Sequence, residues 1–177
     1  MTRKPFRIAR SRTGLGLFAT RDIKKRAAIV EYSGRRIRTV KAKELEYLRP
    51  NRYLFEINSR WTIDGSSRRN LARYVNHACK PNAEAVLARG RIIYRALKRI
   101  REAEEITVDY GKEYFDLYLK ASGCLCLSCI EKRREKRRLA RARHARKAAR
   151  SKTLQSRRRA KTMKKQTAAR RKTSGRT

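Results

Sequence analysis

Acidic side chains are scarce: 15 Asp and Glu stand against 51 Lys and Arg in 177 residues. The shortage is uneven. Lys132 to Thr177 holds 22 basic residues and one acid, Glu135, a charge that no packed core tolerates, while residues 1–131 hold 29 basic and 14 acidic. Polyanions, nucleic acid above all, are the expected partners. Long apolar runs are missing too. No stretch approaches the roughly 18 residues that a membrane span needs, so no membrane partner is expected. Met1 to Arg12 is basic but has no apolar segment after it, which speaks against a secretory signal and for work inside a cell. In a reducing compartment the four cysteines are expected as metal ligands or free thiols rather than disulfides.

The length suits one domain plus an appendage. Phe6 to Arg10 can form a strand. In the following Ser11 to Ala19, Gly14 and Gly16 flank Leu15. The third glycine of a dinucleotide fingerprint and the lysine of a phosphate loop are absent, so the residues alone give a hairpin turn. Ala27 to Tyr32 has the pattern of a buried strand stopped by Ser33-Gly34. Val40 to Leu48 suits a short helix, ended by Pro50, with Val40, Leu45 and Leu48 toward the core. Arg52 to Ile57 and Trp61 to Ile63 suit strands joined at Asn58-Ser59. Ala83 to Ala88 and Ile92 to Leu97 suit a hairpin across Arg89-Gly90, and Glu105 to Val108 a further strand. Many short strands with little helix predict a mainly β domain of small sheets. Glu113 to Lys120 suits a helical turn or two, with Phe115 and Tyr118 expected as core.

Asn70 to Asn82, Asn-Leu-Ala-Arg-Tyr-Val-Asn-His-Ala-Cys-Lys-Pro-Asn, concentrates polar groups, and a short helical turn presenting a site is expected there. Pro81 disfavours helix at Lys80. Cys124, Cys126 and Cys129 lie within six residues and suit a tetrahedral zinc site one ligand short. Cys79 across the fold can complete it, His144 can, or the cluster is incomplete. Four cysteines and one tetrahedral ion favour Cys79. From Glu131 the chain has helix formers but no apolar stripe, and residues 151–177 are expected to be disordered.

Together these pieces resemble the SET-domain protein lysine methyltransferases from about Arg7 to Cys129. The family motifs match Thr13-Gly14-Leu15-Gly16, Glu31-Tyr-Ser-Gly34, Tyr53 to Phe55, Arg73 to Asn82 and Glu104 to Gly111, in the family order, with a post-SET cysteine cluster behind them. The resemblance implies a SET (β-clip-like) fold of small curved sheets with a threaded C-terminal segment, over residues 1–119. A post-SET zinc motif would follow at 120–131 and a basic helical or disordered tail at 132–177. It implies S-adenosylmethionine as methyl donor, held by Thr13, Gly14, Leu15, Gly16, Tyr53, Arg73, Asn76 and His77, and Zn2+ held by the cysteines. Tyr110 would be the catalytic tyrosine, and Tyr32 would line the lysine channel.

Departures from the family are informative. Ala78 replaces a serine, and Ala27 and Ala103 replace turn glycines, so those turns are expected to differ. Val108 replaces the bulky aromatic that limits product size, which points to di- or trimethyllysine. The Cys-x-Cys-x2-Cys spacing is shorter than usual. Lys164 to Gly175 is similar to the histone H3 tail, which makes Lys165 and Lys172 candidate automethylation sites. The expected substrate is a histone or another basic protein associated with nucleic acid, a ribosomal protein included, at a nucleoid or chromatin. The alternative is a DNA-compacting protein with an inactive SET domain.

Overall fold

The computed structural model describes residues 4–173, without the side chains of 157–160, 162 and 164–173. The chain forms two compact units, Met1–Ile130 and Glu131–Thr177.

The first unit is three small sheets. β1 (Phe6–Ser11) and β2 (Gly14–Ala19) form a hairpin, and the first sheet runs β1-β2-β10-β7, with β7 at Asn76–His77 and β10 at Glu105–Val108. The second runs β3 (Ala28–Tyr32), β9 (Arg91–Ala96), β8 (Ala83–Ala88). The third runs β4 (Arg35–Arg38), β6 (Trp61–Asp64), β5 (Leu54–Glu56). Inward residues of these strands, among them Leu17, Ile92, Ile106 and Val108, join Val75 and Ile100 in one core where each is at most 2% exposed. Full burial of such a side chain contributes about 1.5–3 kcal/mol.

Two asparagines of the 70–82 stretch are structural. Asn70, 1% exposed, accepts from the Ser33 amide at 3.2 Å and donates to the Gly65 carbonyl at 3.1 Å. Asn82 donates to Glu104 Oε1 (3.0 Å) and the Glu105 carbonyl (2.8 Å), and accepts from the Thr107 amide at 2.8 Å. Between them, a 3-10 helix at Leu71–Tyr74 supplies the expected helical turn. Asn82 thus fastens the end of the stretch to β10.

α1 (Thr39–Leu48) corrects the sequence expectation about its faces. Val40 and Leu48 are 69% and 78% exposed, and Leu45 is exposed as well. The inward side carries Thr39, Ala42, Lys43 and Glu46, at helical spacing, which border a cavity. Thr39 also shares a hydrogen bond of 3.0 Å with Thr62 and donates to the Asn58 carbonyl. The helix turns its polar side inward because it walls a cleft rather than a core.

α2 (Lys112–Tyr114) passes into a π turn at Phe115–Leu119, in which the Lys120 amide donates to the Phe115 carbonyl. α3 is a helix of 47 residues, Leu127–Thr173. It continues where disorder was expected from residue 151, because the segment has no Gly or Pro before Gly175 and is rich in Ala, Lys and Arg. No helix among the described residues is long and apolar enough to cross a membrane.

Candidate active site and cysteine cluster

The site forms where β7 pairs in parallel with β10, Asn76 opposite Thr107 and His77 opposite Val108. The Ala78 amide extends the ladder to the Val108 carbonyl at 2.9 Å. Two of the matched motifs, Arg73 to Asn82 and Glu104 to Gly111, are therefore neighbours. Leaving β10, the chain brings Tyr110 back over β7. Its amide donates to His77 Nδ1 at 3.2 Å and its hydroxyl donates to the Val75 carbonyl at 2.6 Å. That hydroxyl keeps its lone pairs for a further donor. Burial raises the Tyr110 pKa, with Tyr114 and Tyr32 adding to the effect, so the phenol stays protonated at neutral pH.

A cavity of about 410 Å³ opens beside it. Tyr32, Tyr53, Arg73, Val108 and Tyr110 all border this space; Thr13, Gly14, Leu15, Gly16, Asn76 and His77 do not. The Tyr32 hydroxyl donates to the Tyr53 carbonyl at 2.8 Å, and its ring packs against Phe55 and Tyr94. Burial, reinforced by Asp64, raises its pKa too. The Arg73 guanidinium lies 4.0 Å above the Tyr53 ring and donates to the Ser66 carbonyl. Arg73 Nε is buried with no hydrogen-bond partner among the described residues, and such an orphaned donor calls for an acceptor.

The glycine segment lies at the neighbouring junction. Gly14 turns the hairpin at φ +116°, open to glycine alone without strain. Gly16 has a different reason: a Cβ there would come within 2.5 Å of Glu105 Oε1. Asn76 Nδ2 donates to that same oxygen at 2.7 Å and to the Leu15 carbonyl at 3.1 Å. Both amide hydrogens are used, so the carbonyl oxygen is what Asn76 can offer a ligand. An acceptor at Asn76 and the orphaned Nε donor of Arg73 are the kinds of group that the ammonium and the carboxylate of an amino-acid moiety need, so in their chemistry these residues fit S-adenosylmethionine.

The Sγ atoms of Cys79, Cys124, Cys126 and Cys129 all lie within 4.8 Å of one another. Tetrahedral zinc with bonds of about 2.3 Å sets sulfurs about 3.8 Å apart. Cys79 is 3.9 Å from Cys124 and 3.5 Å from Cys129, so the set fits Zn2+, and the shorter spacing of the last three is no obstacle. Burial and the neighbouring thiols raise Cys79. At Cys126 burial is outweighed by the Ser128 hydroxyl and nearby backbone, which bring it down to about 6. A dication would reverse the mutual disfavour of the other thiolates. His77 joins the two centres. Its Nδ1 accepts from Tyr110, so the neutral ring carries its proton on Nε2, which faces Cys79 Sγ at 3.3 Å. Burial lowers the His77 pKa against the pull of Asp109, which favours this neutral form.

Sequence reasoning missed the cavity's outer wall. Tyr114, Leu117 and Tyr118 border it, and Tyr118, expected in the core, donates to Glu46 Oε1 of α1 at 2.8 Å. Burial and Glu46 push its pKa up to about 12. The spacing of Tyr114 and Tyr118 was the available signal, since i and i+4 share a face. Ser11 and Glu105 were missed as well, and only the β1-β2-β10-β7 order brings them to Asn76. The side chains of Lys165 and Lys172 lie outside the described residues.

Histone-lysine N-methyltransferase 2D of Homo sapiens is 39% identical over 118 residues, 62% of this chain and 2% of that protein. Histone-lysine N-methyltransferase set-2 of Caenorhabditis elegans is 37% identical over 134 residues, 70% and 9%. The H3 lysine-4 specific enzyme of Aspergillus oryzae is 37% identical over 121 residues, 63% and 10%. The chain thus spans at most a tenth of the length of these curated relatives. Among solved structures, a chain of ctPRC2 in complex with H3K27me3 and H3K27M superposes with a TM-score of 0.57 at 29% identity, over 63% of this chain and 15% of that one. The SET domain model matches residues 14–111, more than half of the sequence. With the paired β7 and β10, the Tyr110 cavity and the cysteine cluster behind them, this chain belongs to the SET-domain family.

Proposed function

We propose that the protein is a lysine N-methyltransferase that uses S-adenosylmethionine and acts on histones or other basic proteins bound to nucleic acid. The carrying observation is the Tyr110 hydroxyl, fixed by the Val75 carbonyl beside an aromatic cavity. S-adenosylmethionine, held by the glycine segment, Asn76 and Arg73, would supply an electrophilic sulfonium methyl. Tyr32, Val108 and Tyr110 would surround the lysine amine with apolar and aromatic surface, which disfavours the ammonium form. A protonated Tyr110 is no base. Its role is to hold the amine in line, and alignment is worth about 7–11 kcal/mol at best. The lysine would give up its proton to water, and its amine would take the methyl group as the donor's carbon–sulfur bond gives way. Four acids, Glu46, Glu56, Asp109 and Glu113, border the cavity against three basic residues, Lys43, Arg52 and Arg73, a slight acidic excess in a strongly basic protein that favours a basic peptide. The small Val108 leaves room for di- or trimethyllysine.

Zn2+ on Cys79, Cys124, Cys126 and Cys129 would tie the segment after Tyr110 to the Asn76-His77 motif. The basic tail would anchor the enzyme to DNA, and its histone-like end would offer Lys165 or Lys172 for automethylation. Work at chromatin or a nucleoid follows from that anchor.

One experiment tests the reading. The full chain is incubated with methyl-labelled donor, with and without histones, and products are read by mass spectrometry. Wild type is expected to label histone lysines beyond the monomethyl state, and Tyr110→Phe to lose on the order of 100-fold in kcat while keeping donor affinity. No transfer to any basic protein would leave the DNA-compacting alternative. No label on the chain's own tail removes automethylation alone.

A further inference from the structure

Glu105 does no chemistry in the proposed reaction, yet its carboxylate joins three strands of the first sheet. Its Oε1 accepts from Ser11 Oγ and from Asn76 Nδ2, each at 2.7 Å. Three strands meet in this contact, Ser11 from β1, Glu105 from β10 and Asn76 from β7. Gly16 of β2 leaves the space for it, since a Cβ there would also lie 3.0 Å from the Ser11 Cβ and 3.1 Å from Asn76 Nδ2.

An asparagine amide can turn over at little cost, exchanging its acceptor for its donors. Here the turn is blocked electrostatically. A flipped Asn76 would set its own oxygen against the Glu105 carboxyl oxygen and the Leu15 carbonyl, losing two hydrogen bonds and facing two acceptors. The Ser11 hydroxyl, donating to the same Oε1, keeps that oxygen in place.

We infer that Glu105 is a positioning residue for the methyl donor: with Ser11 it locks the Asn76 amide so that Oδ1 alone is presented to the donor's ammonium group. This rests on the reading of Asn76 as a donor-binding residue. A cationic ligand group is rejected by an NH2 and welcomed by a carbonyl oxygen, so orientation decides the sign of the contact. The residue types are matched to that task. A glutamine at 105 can still present an acceptor oxygen to both Ser11 and Asn76, whereas an alanine cannot.

The test is donor binding by calorimetry, with KM for donor and for peptide, on full-length Glu105→Gln, Glu105→Ala, Ser11→Ala, Asn76→Ala and the double variant Glu105→Ala/Asn76→Ala. Glu105→Ala is expected to weaken donor binding about tenfold, the scale of one charge-assisted hydrogen bond, with the peptide KM unchanged. Ser11→Ala should weaken it less, and Glu105→Gln should stay within about threefold of wild type. In the Asn76→Ala background, Glu105→Ala should add less than about twofold, because coupled residues are non-additive. If both single changes weaken binding and their effects multiply fully, Glu105 does not act through Asn76 and the inference falls. If Asn76→Ala leaves donor binding intact, the parent reading of Asn76 falls instead. If Glu105→Ala fails to fold, Glu105→Gln and Ser11→Ala still decide, since equal losses in donor and peptide KM would mark a merely structural role.

Discussion

Ala103 holds φ at +63°, in the left-handed region, where the family resemblance expects glycine. Its amide is committed to the Ala19 carbonyl at 2.9 Å, so the turn keeps its shape and the Cβ bears the strain. Ala103→Gly is expected to stabilise the protein by about 1 kcal/mol, read as a rise in denaturant midpoint. At the other replaced glycine the strain moves: Arg26, φ +68°, takes the left-handed conformation beside Ala27. The buried tyrosines make a second prediction. Burial raises the pKa values of Tyr32, Tyr94 and Tyr110 in the folded state above the ordinary 10.0. Their contribution to stability is intact below pH 10. Above it the unfolded chain gives up these protons first, so stability should fall progressively toward the folded-state values. Melting temperature against pH, with tyrosinate absorbance, checks this; flat stability above pH 10 would contradict it. The residues expected to carry chemistry could be picked from the sequence because the motif names them one by one. Glu104 and Glu105 were not separable. Only the strand order shows that Glu104 serves Asn82 while Glu105 faces Asn76.

At the scale of elements, hairpins were readable because alternation and turn dipeptides are local signals, as at Arg89-Gly90 between β8 and β9. β7 was not, since two residues cannot carry a pattern and its pairing depends on β10. Helix α1 misled because periodicity shows that an apolar side exists, not what it faces. The cysteine cluster was read from number and chemistry, and the structure gathers all four sulfurs. Cys79→Ser should lower bound zinc, expected at one per chain in the wild type and measured by elemental analysis, and reduce activity through the His77 contact, although Cys79 does not border the cavity. Full zinc content in that variant would rule out Cys79 as a ligand.

On the scale of the whole molecule, charge divides labour. Residues 1–131 hold the buried core with 29 basic and 14 acidic residues, while the sequence of α3 is dominated by Lys, Arg and Ala without an apolar repeat. A polycation of this kind should bind DNA with log K falling by about 0.9 per phosphate contacted as log salt rises. Removing residues 132–177 should abolish most of that slope and leave peptide methylation unchanged, measured by anisotropy titrations at several salt concentrations. Equal DNA binding by the shortened protein would refute the anchor.

The β10 strand, finally, says something about time. It pairs with Phe18 and Leu17 of β2, which are nearly 90 residues earlier in the chain, and with β7 about 30 residues earlier. Contacts this distant carry a loop-closure cost that must be met before any pairing returns it, so they slow folding. The early hairpin can form as it emerges from the ribosome, but it must wait, half a sheet, for a strand made much later. Tyr110 follows that strand by two residues. The cavity that Tyr110 borders therefore takes shape only once the chain has been made through β10, and the cysteine cluster at 124–129 is gathered later still.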